Sequence, residues 1–251
     1  HFHVYDYSPL SSVYGERIDG IMGYSFFSRY VVNINYDSLW LELYALGKVQ
    51  YPSRGHLLKP DMKRLPLQKV SLKDGRTVNK SLFMDSGAGL AALFSDHFLD
   101  DSLLLNPEKK RFDTRAEGLG GKKRVQLTVI KEIKIGPYRF AHVPVYIFSD
   151  EENVTGYPLS GGIIGNEILR RFNTIFNYPQ SEIALIPNSH YNEPFDYGYC
   201  GLSIHLYEDK VRVEDVVPGS PAGKAGFKEG DILVSVDGNF SGNLREFRTL
   251  L

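Results

Sequence analysis

The sequence predicts a mainly β fold with short accessory helices. It holds 16 tyrosines and 15 phenylalanines, and aromatic side chains favour strands. Short β-branched or aromatic runs are separated by glycine, proline and Asp-Gly turn signals, as in VVNINY (31–36), VQLTVI (125–130) and VPVYIF (143–148). Helical patterning is confined to SDHFLDDSLLL (95–105), GNEILRRF (165–172) and NLREFRTLL (243–251).

Composition limits the classes of partner. The chain has 251 residues and is 42% hydrophobic, which is enough for two modest packed domains. Its 29 basic and 30 acidic residues give a net charge of −1, so neither nucleic acid nor an anionic membrane surface is an expected partner. The single cysteine excludes an internal disulfide. No apolar run approaches the ~20 residues of a membrane span.

Two segments of the chain align without a gap at an offset of 142 residues. They are GIMGYSFFSRYVVNINYDSLWLELY (20–44) and GIIGNEILRRFNTIFNYPQSEIALI (162–186). Each copy predicts an apolar strand between glycines, a short helix and two strands joined by a turn. We interpret the pair as an internal repeat, whose identical positions are Gly20/Gly162, Ile21/Ile163, Gly23/Gly165, Arg29/Arg171, Asn35/Asn177, Tyr36/Tyr178 and Leu43/Leu185.

Asp85 is the first candidate for chemistry, because it follows the apolar run LFM directly and precedes Ser-Gly-Ala-Gly. As a turn acid it would only accept backbone N–H bonds. As part of a dinucleotide loop it would use Gly87, Gly89 and Ala92, which fit G-x-G-x-x-A, but a Rossmann unit also needs a second strand that ends in an acid, and none follows at the right distance. The third interpretation is half of a catalytic acid pair.

Residues from about 65 to 187 resemble one lobe of the pepsin/retropepsin-type aspartic proteases. In that family each lobe carries an Asp-Thr-Gly or Asp-Ser-Gly loop, and an apolar-apolar-Gly strand passes beside it later in the lobe. The matching segments here are Asp85-Ser86-Gly87-Ala88 and Gly162-Ile163-Ile164-Gly165. The resemblance implies an acid-protease β-barrel in which Asp85, Ser86 and Gly87 form the catalytic loop. It places Ala88, Ile163 and Ile164 against substrate.

The chemistry of this family explains the residue types. Two carboxylates within hydrogen-bonding distance share one proton, because both cannot ionise together. The ionised member takes a proton from a water that attacks the peptide carbonyl, and the protonated member stabilises the oxyanion. By resemblance, the Ser86 hydroxyl ties the loop to its counterpart in the facing lobe. We therefore predict an aspartic endopeptidase that acts on peptide or protein substrates without a cofactor.

A dyad needs a second acid, and the sequence contains no other Asp-(Ser/Thr)-Gly. The repeat predicts that residues 1–50 are the C-terminal part of a first lobe, 51–64 a connector and 65–190 the second lobe. The partner acid is then expected before residue 1, and the chain as numbered is expected to be inactive unless it dimerises. Two alternatives are a homodimer that pairs two Asp85 loops and a protease-like scaffold that has lost catalysis.

The segment RAEGLGGKKRVQLTVI (115–130) places three glycines, Gly118, Gly120 and Gly121, around Leu119 before a strand. In retropepsin-like lobes a hairpin here forms a flap over substrate, which would bring Gly120 to the substrate. A mobile surface hairpin is the alternative.

Residues 195–251 resemble a bacterial-type PDZ domain through GYCGLSIHL and VVPGSPAGKAGFKEGDILVSVDG. The resemblance implies that backbone N–H groups of Tyr199, Cys200, Gly201 and Leu202 hold the C-terminal carboxylate of a peptide. The edge from Leu202 to Ile204 would pair with that peptide as an added strand. Because residue 251 falls in the helix that lines the groove, the domain is predicted to be C-terminally incomplete.

The remaining candidates carry less chemistry. Cys200 is interpreted as a small apolar residue that packs, with a reactive thiol as the alternative. His1 and His3 have metal-ligand spacing but no supporting acid or histidine, so we predict no metal site. By resemblance alone, a PDZ-linked protease of bacteria is expected in the periplasm or cell envelope.

Overall fold

The computed structural model describes residues 6–47, 49–118, 121–195, 198 and 200–251. Strands make up 41% of it and helices 15%, so the predicted mainly β class is confirmed. Among the described residues, helices that combine the length and apolarity needed to cross a bilayer are not found. The chain forms two compact units. We call them the barrel unit (Met22–Lys110 and Thr128–Phe195) and the C-terminal unit (6–21, Arg111–Leu127 and 198–251, as far as described).

Helices are present at the three segments with helical patterning and at the position that the repeat predicts in its first copy. Among the described residues, two further short helices accompany them. The helices are α1 (Ser8–Tyr14), α2 (Tyr24–Phe27), α3 (Asp96–Ser102), α4 (Asn166–Leu169), α5 (Pro221–Ala225) and α6 (Leu244–Leu250), with a 3-10 turn at Tyr178–Gln180. The strands are β1 (Val31–Asn35), β2 (Trp40–Tyr44), β3 (His56–Leu58), β4 (Asp61–Met62), β5 (Pro66–Lys73), β6 (Thr77–Met84), β7 (Ala92–Ser95), β8 (Phe112–Gly118), β9 (Gly121–Ile135), β10 (Tyr138–Phe148), β11 (Gly162–Ile164), β12 (Phe172–Asn177), β13 (Glu182–Pro187), β14 (Leu202–Tyr207) and β15 (Lys210–Val216).

Six strands of the barrel unit close on themselves in the order β5-β6-β11-β7-β10-β9, with β9 pairing back onto β5. Alternation along these strands turns apolar side chains inward. Leu72, Leu82, Ile130, Ile133 and Val145 are all completely buried. Closure removes the exposed edges that an open sheet would leave, so the predicted β-barrel lobe is present.

From the helix onward, the two copies of the repeat have the same secondary structure at the same offset. The strand predicted between the glycines forms only in the second copy, as β11, because Ile21 and Met22 of the first copy are exposed and pair with no strand of the described residues. Helix α2 corresponds to α4, β1 to β12 and β2 to β13. In the five-stranded sheet β2-β1-β12-β13-β3, the two copies pair through β1 and β12. The antiparallel register is centred on equivalent positions, with the pairs Asn33↔Ile175, Val32↔Phe176 and Ile34↔Thr174. The copies are therefore related by a local two-fold axis between β1 and β12.

The core of the C-terminal unit lies between the β14–β15 hairpin and α6. It consists of Ile204, Val211, Val213, Leu244 and Phe247. Helix α6 begins where the Asn243 side chain accepts a hydrogen bond from the Glu246 N–H at 3.1 Å, as an N-cap does.

The hairpin of β8 and the first half of β9 belongs to the C-terminal unit and is fixed to it by polar contacts. The Thr114 hydroxyl lies 3.0 Å from an Asp215 carboxylate oxygen, and Arg115 lies 2.9 Å from Glu229. The hairpin predicted from the glycine-rich segment is therefore present.

Candidate functional site

The loop at Asp85 begins where β6 leaves the barrel core. Met84, the last residue of β6, is 2% exposed, and the next residue turns out of the strand. The Asp85 N–H donates to the Ile164 carbonyl at 2.9 Å. Its Oδ1 accepts from the Gly87 N–H at 2.8 Å, so the carboxylate is held at the base of the loop.

Strand β11 lies beside this loop, as the sequence predicts. It is parallel to β6 and antiparallel to β7. A Cβ on Gly162 would lie 2.0 Å from the Leu93 carbonyl oxygen, and one on Gly165 would lie 2.1 Å from that of Leu90. Such contacts are too close for any side chain, so both positions require glycine. The glycines that flank the Ile-Ile pair thus allow β11 to pack against the Asp85 loop.

The structure brings together several predicted residues of the site. The Ala88 carbonyl accepts from the Asn166 N–H at 2.7 Å, which joins the loop to α4. Ile164 is completely buried, so the prediction that its side chain contacts substrate is wrong, while Ile163 is half-buried and its contact with substrate stays a prediction. Ser86 is half-buried in the turn after Asp85, and its predicted bond to a facing loop stays a prediction. Gly120, the predicted flap residue, lies outside the described residues.

Tyr178 also lies near Asp85, and local sequence did not point to it. Burial, the negative charge of Asp85 and the neighbouring Tyr24 together raise the pKa of its phenol to about 12. Tyr178 contacts the Tyr24 ring edge-on at 5.7 Å between centroids. Across the local two-fold axis, its counterpart Tyr36 donates to Asn166 Oδ1 at 2.7 Å. The identity of Tyr36 and Tyr178 in the repeat was the signal that could have found it.

The predicted carboxylate-binding loop of the C-terminal unit is only partly available. Tyr199 lies outside the described residues, and Cys200 is a half-buried free thiol. Gly201 has a φ of +76°, which favours glycine. Its N–H donates to the Gly198 carbonyl at 2.8 Å. The prediction that this N–H holds a peptide carboxylate is therefore corrected, because the chain itself uses it.

The predicted peptide-binding edge lies on β14, but not through the Ile204 side chain. That side chain is 2% exposed and belongs to the core, and Leu202 packs against the same core. On the side of β15 that faces away from β14, the Val211 carbonyl accepts from the Leu233 N–H, and Val213 bonds to Gly230 and Asp231. The partners of Val211 and Val213 in the register, Leu206 and Ile204, therefore turn their backbone groups to the outer edge of β14.

Two side chains of the same unit occupy carbonyls of this outer edge. The Ser12 hydroxyl of α1 donates to the Leu206 carbonyl at 2.6 Å. The Arg248 guanidinium of α6 donates to the Ile204 carbonyl at 2.7 Å. Neither contact was predicted, because each joins residues that are distant in the sequence.

A second polar cluster, also unpredicted, lies between the β8–β9 hairpin and the β14–β15 hairpin. It contains Glu117, His205, Glu214 and Lys122. His205 Nδ1 is 3.5 Å from Glu117 Oε2 and 3.9 Å from Glu214 Oε2. Burial lowers the pKa of His205 to about 4, so its imidazole is neutral at neutral pH.

Comparison with family models gives two matches along the chain. Residues 69–168 match the family model of aspartyl proteases, and residues 212–251 match that of the PDZ domain. The protease match includes both the Asp85 loop and β11. Each match covers less than half of the chain, and together they show an aspartyl-protease-like segment followed by a PDZ-like segment. The PDZ match begins inside β15, so β14 of the PDZ domain precedes it.

Among solved structures, the chain is similar to a retropepsin-like aspartic protease from Rickettsia conorii. The two are 11% identical, and the similarity covers 55% of this chain and 100% of that chain with a TM-score of 0.38. No curated protein matches the chain in sequence. The predicted protease-plus-PDZ resemblance is confirmed at the level of these two domains.

Proposed function

We propose that the protein is an aspartic endopeptidase in which Asp85 supplies one carboxylate of a catalytic dyad. The observation that supports this most directly is the position of Asp85 at the end of β6, with its N–H bonded to Ile164 of β11. A turn acid needs no such strand beside it. The aspartyl-protease match over residues 69–168 covers both the Asp85 loop and β11.

In the proposed reaction a water between the two carboxylates attacks the peptide carbonyl. The ionised carboxylate takes the proton from this water, and the protonated one donates a hydrogen bond to the developing oxyanion. The chain's own contribution is to hold the Asp85 carboxylate in place through the Gly87 N–H. Ile163 and Ile164 supply an apolar wall that limits access of bulk water, as a low local dielectric requires.

The partner carboxylate is proposed to come from a first lobe whose closing segment is residues 20–44. The local two-fold axis supports this, since it pairs β1 with β12 about Asn33 and Ile175. Under this proposal, the counterpart of Asp85 would lie before residue 1, because the two copies are 142 residues apart. The proposed domain bounds remain 1–50 for the first-lobe part, 51–64 for the connector, 65–190 for the second lobe and 195–251 for the PDZ domain.

The test replaces Asp85 in the protein that contains both lobes. Asp85→Asn should reduce cleavage of an unfolded protein substrate by at least about 1,000-fold, because one of the two carboxyl groups that accept and donate the proton is then missing. Asp100→Asn, on exposed α3 of the same domain, is the matched control and should cleave normally. Pepstatin should inhibit the parent protein. Unchanged cleavage by Asp85→Asn would refute the proposal.

The two alternatives are separated by other outcomes of the same experiment. An inactive scaffold predicts no cleavage by the parent protein, with peptide binding by the PDZ domain retained. A homodimer predicts cleavage by the 251-residue chain alone, with a rate that rises with the square of protein concentration at low concentration. Against the homodimer, the edge of β12 at the two-fold axis is already occupied by β1 of the same chain.

We further propose that the PDZ domain binds peptide C-termini by strand addition along β14. The outward-facing backbone groups at Ile204 and Leu206 support this role. Their carbonyls are bonded by Arg248 and Ser12, so a peptide would have to replace these contacts. No nucleic-acid partner is proposed, and a periplasmic or envelope location stays a prediction.

A further inference from the structure

We infer that Glu117, His205 and Glu214 form a zinc-binding site that joins the β8–β9 hairpin to the PDZ domain. The sequence predicted no metal site, since the three residues are far apart in the chain. Folding brings one ligand atom from each within 4.8 Å of the others. One imidazole nitrogen and two carboxylate oxygens are ligands that zinc accepts.

The distances suit a tetrahedral ion. Zinc bonds of 2.0–2.2 Å place neighbouring ligand atoms of a tetrahedron about 3.3–3.6 Å apart. His205 Nδ1 lies 3.5 Å from Glu117 Oε2 and 3.9 Å from Glu214 Oε2. The two distances from His205 are thus within a few tenths of an ångström of ligand spacing, and the carboxylate oxygens of Glu117 and Glu214, which lie within 4.8 Å of each other, would have to approach by up to about 1.5 Å. The fourth position is left for a water.

Burial supplies an independent indication of a ligand. The His205 side chain is 7% exposed and that of Glu117 is 9% exposed. Neither His205 Nδ1 nor Glu117 Oε2 has a hydrogen-bond partner in the part of the chain that is described. Buried polar atoms are normally paired, and these two unpaired atoms lie only 3.5 Å apart. A bound cation would satisfy both.

In this structure the positive charge beside the cluster is the ammonium group of Lys122. Its Nζ lies 2.5 Å from Glu214 Oε1, yet its side chain is 46% exposed. The ammonium can therefore move into solvent when a divalent ion takes its place. Two carboxylates and a neutral imidazole carry a charge of −2, which a zinc ion neutralises. The Tyr207 hydroxyl donates to Glu214 Oε2 at 3.1 Å and orients that carboxylate.

The experiment measures zinc binding to the 251-residue chain after removal of any affinity tag and dialysis against a chelator. Titration calorimetry with zinc chloride should give one saturable site, and zinc should raise the Tm because it binds the folded state. The titration is repeated on a variant with His1→Ala and His3→Ala, which removes the other histidine pair with metal-ligand spacing. Magnesium should not compete, since it prefers oxygen ligands.

Glu117→Gln and His205→Gln should each weaken zinc binding by more than about tenfold, because even residues that support a metal ligand have effects of that size. His190→Gln is the matched control, since His190 forms a similar His–Glu pair with Glu193 at 2.7 Å in the barrel unit. It should bind zinc normally. Lys122→Met tests the site without removing a buried ligand and should tighten zinc binding.

Three outcomes would overturn the inference. The first is no zinc binding by the folded parent protein and by Lys122→Met. The second is binding that survives Glu117→Gln and His205→Gln in variants whose circular dichroism is unchanged. The third is binding that disappears with His1 and His3.

Discussion

At the scale of single residues, equivalent positions of the repeat have different environments. Gly23 and Gly165 are identical in the alignment, and each precedes a four-residue helix. A Cβ on Gly165 would meet the Leu90 and Ala88 carbonyl oxygens at 2.1 and 2.6 Å, whereas one on Gly23 would have no atom within 4 Å. The repeat therefore provides its own matched controls.

Gly165→Ala should destabilise the barrel unit by about 1–3 kcal/mol, because backbone atoms must move to admit the methyl group. The Asp85 loop lies against this glycine, so cleavage should fall as well. Urea unfolding and a cleavage assay measure the two effects. Gly23→Ala should change the free energy of unfolding by less than about 0.5 kcal/mol. Equal effects of the two substitutions would contradict the packing described for β11.

Arg171 and its counterpart Arg29 form a second such pair. Arg171 is 1% exposed, donates to the carbonyls of Glu167, His190 and Glu193, and lies 4.0 Å from the Phe195 ring centroid. Arg29 is exposed. The Arg171 guanidinium thus donates hydrogen bonds to backbone carbonyls of the barrel unit that would otherwise be buried without donors.

Arg171→Met should lower the free energy of unfolding by at least about 2 kcal/mol, because buried carbonyls lose their donors. Arg29→Met should leave stability within about 0.5 kcal/mol of the parent. Chemical denaturation of the two variants side by side gives the comparison. A small effect at position 171 would mean that water replaces the guanidinium.

At the scale of elements, the strands and the Asp85 loop were predictable because their signals are local. An apolar run followed by an acid and glycines identified the end of β6, and the repeat identified β11 and α4. The repeat also identified α2. Helices α1 and α5 were missed because segments of seven and five residues are too short to show a clear 3.6-residue period. The contacts of Tyr178, Ser12 and the Glu117–His205–Glu214 cluster were missed for another reason: they join residues that are distant in sequence, and no local pattern encodes them.

Helix α1 is the element with the clearest consequence for PDZ function. Its Ser12 hydroxyl occupies the Leu206 carbonyl on the outer edge of β14. Gly15, which ends the helix, packs against the Leu244 side chain of α6. A Cβ at Gly15 would lie 2.8 Å from that side chain. Helix α1 therefore contacts both elements that border a PDZ peptide groove, and an added strand would compete with it.

Ser12→Ala should tighten binding of a peptide with a C-terminal carboxylate by about three- to tenfold, because one hydrogen bond of about 1 kcal/mol that holds α1 is lost. Ser8→Ala alters an exposed hydroxyl of the same helix and should have no effect. Fluorescence anisotropy with a labelled peptide measures both. Weaker binding by Ser12→Ala would show that α1 supports the groove instead of competing for it.

At the scale of the whole molecule, the C-terminal unit is assembled from three separate segments of the chain. Its hydrophobic core has five fully buried side chains, and Glu214 and Asp215 of β15 bind partners on the β8–β9 hairpin. A small domain with so few buried residues has little stability to spare.

A peptide of residues 198–251 should therefore lack a cooperative thermal transition by circular dichroism. It should also bind a hydrophobic dye more strongly than the 251-residue chain does. Addition of the segments 6–21 and 111–127 in the intact chain supplies the missing partners. A sharp transition in the isolated peptide would show that β14, β15 and α6 suffice for folding.

The three-part construction of this unit also affects the order in which the chain is made. During synthesis the N-terminal helix and the β8–β9 hairpin leave the ribosome long before β14 and β15 exist, since domains emerge from the N-terminus onward. Their polar side chains remain in contact with water, or with a chaperone, until residues 202–216 have been translated. A premature stop near residue 195 would therefore leave α1 and the β8–β9 hairpin without the strands they pack against, although the barrel could still close. Cellular proteases should degrade such a product preferentially.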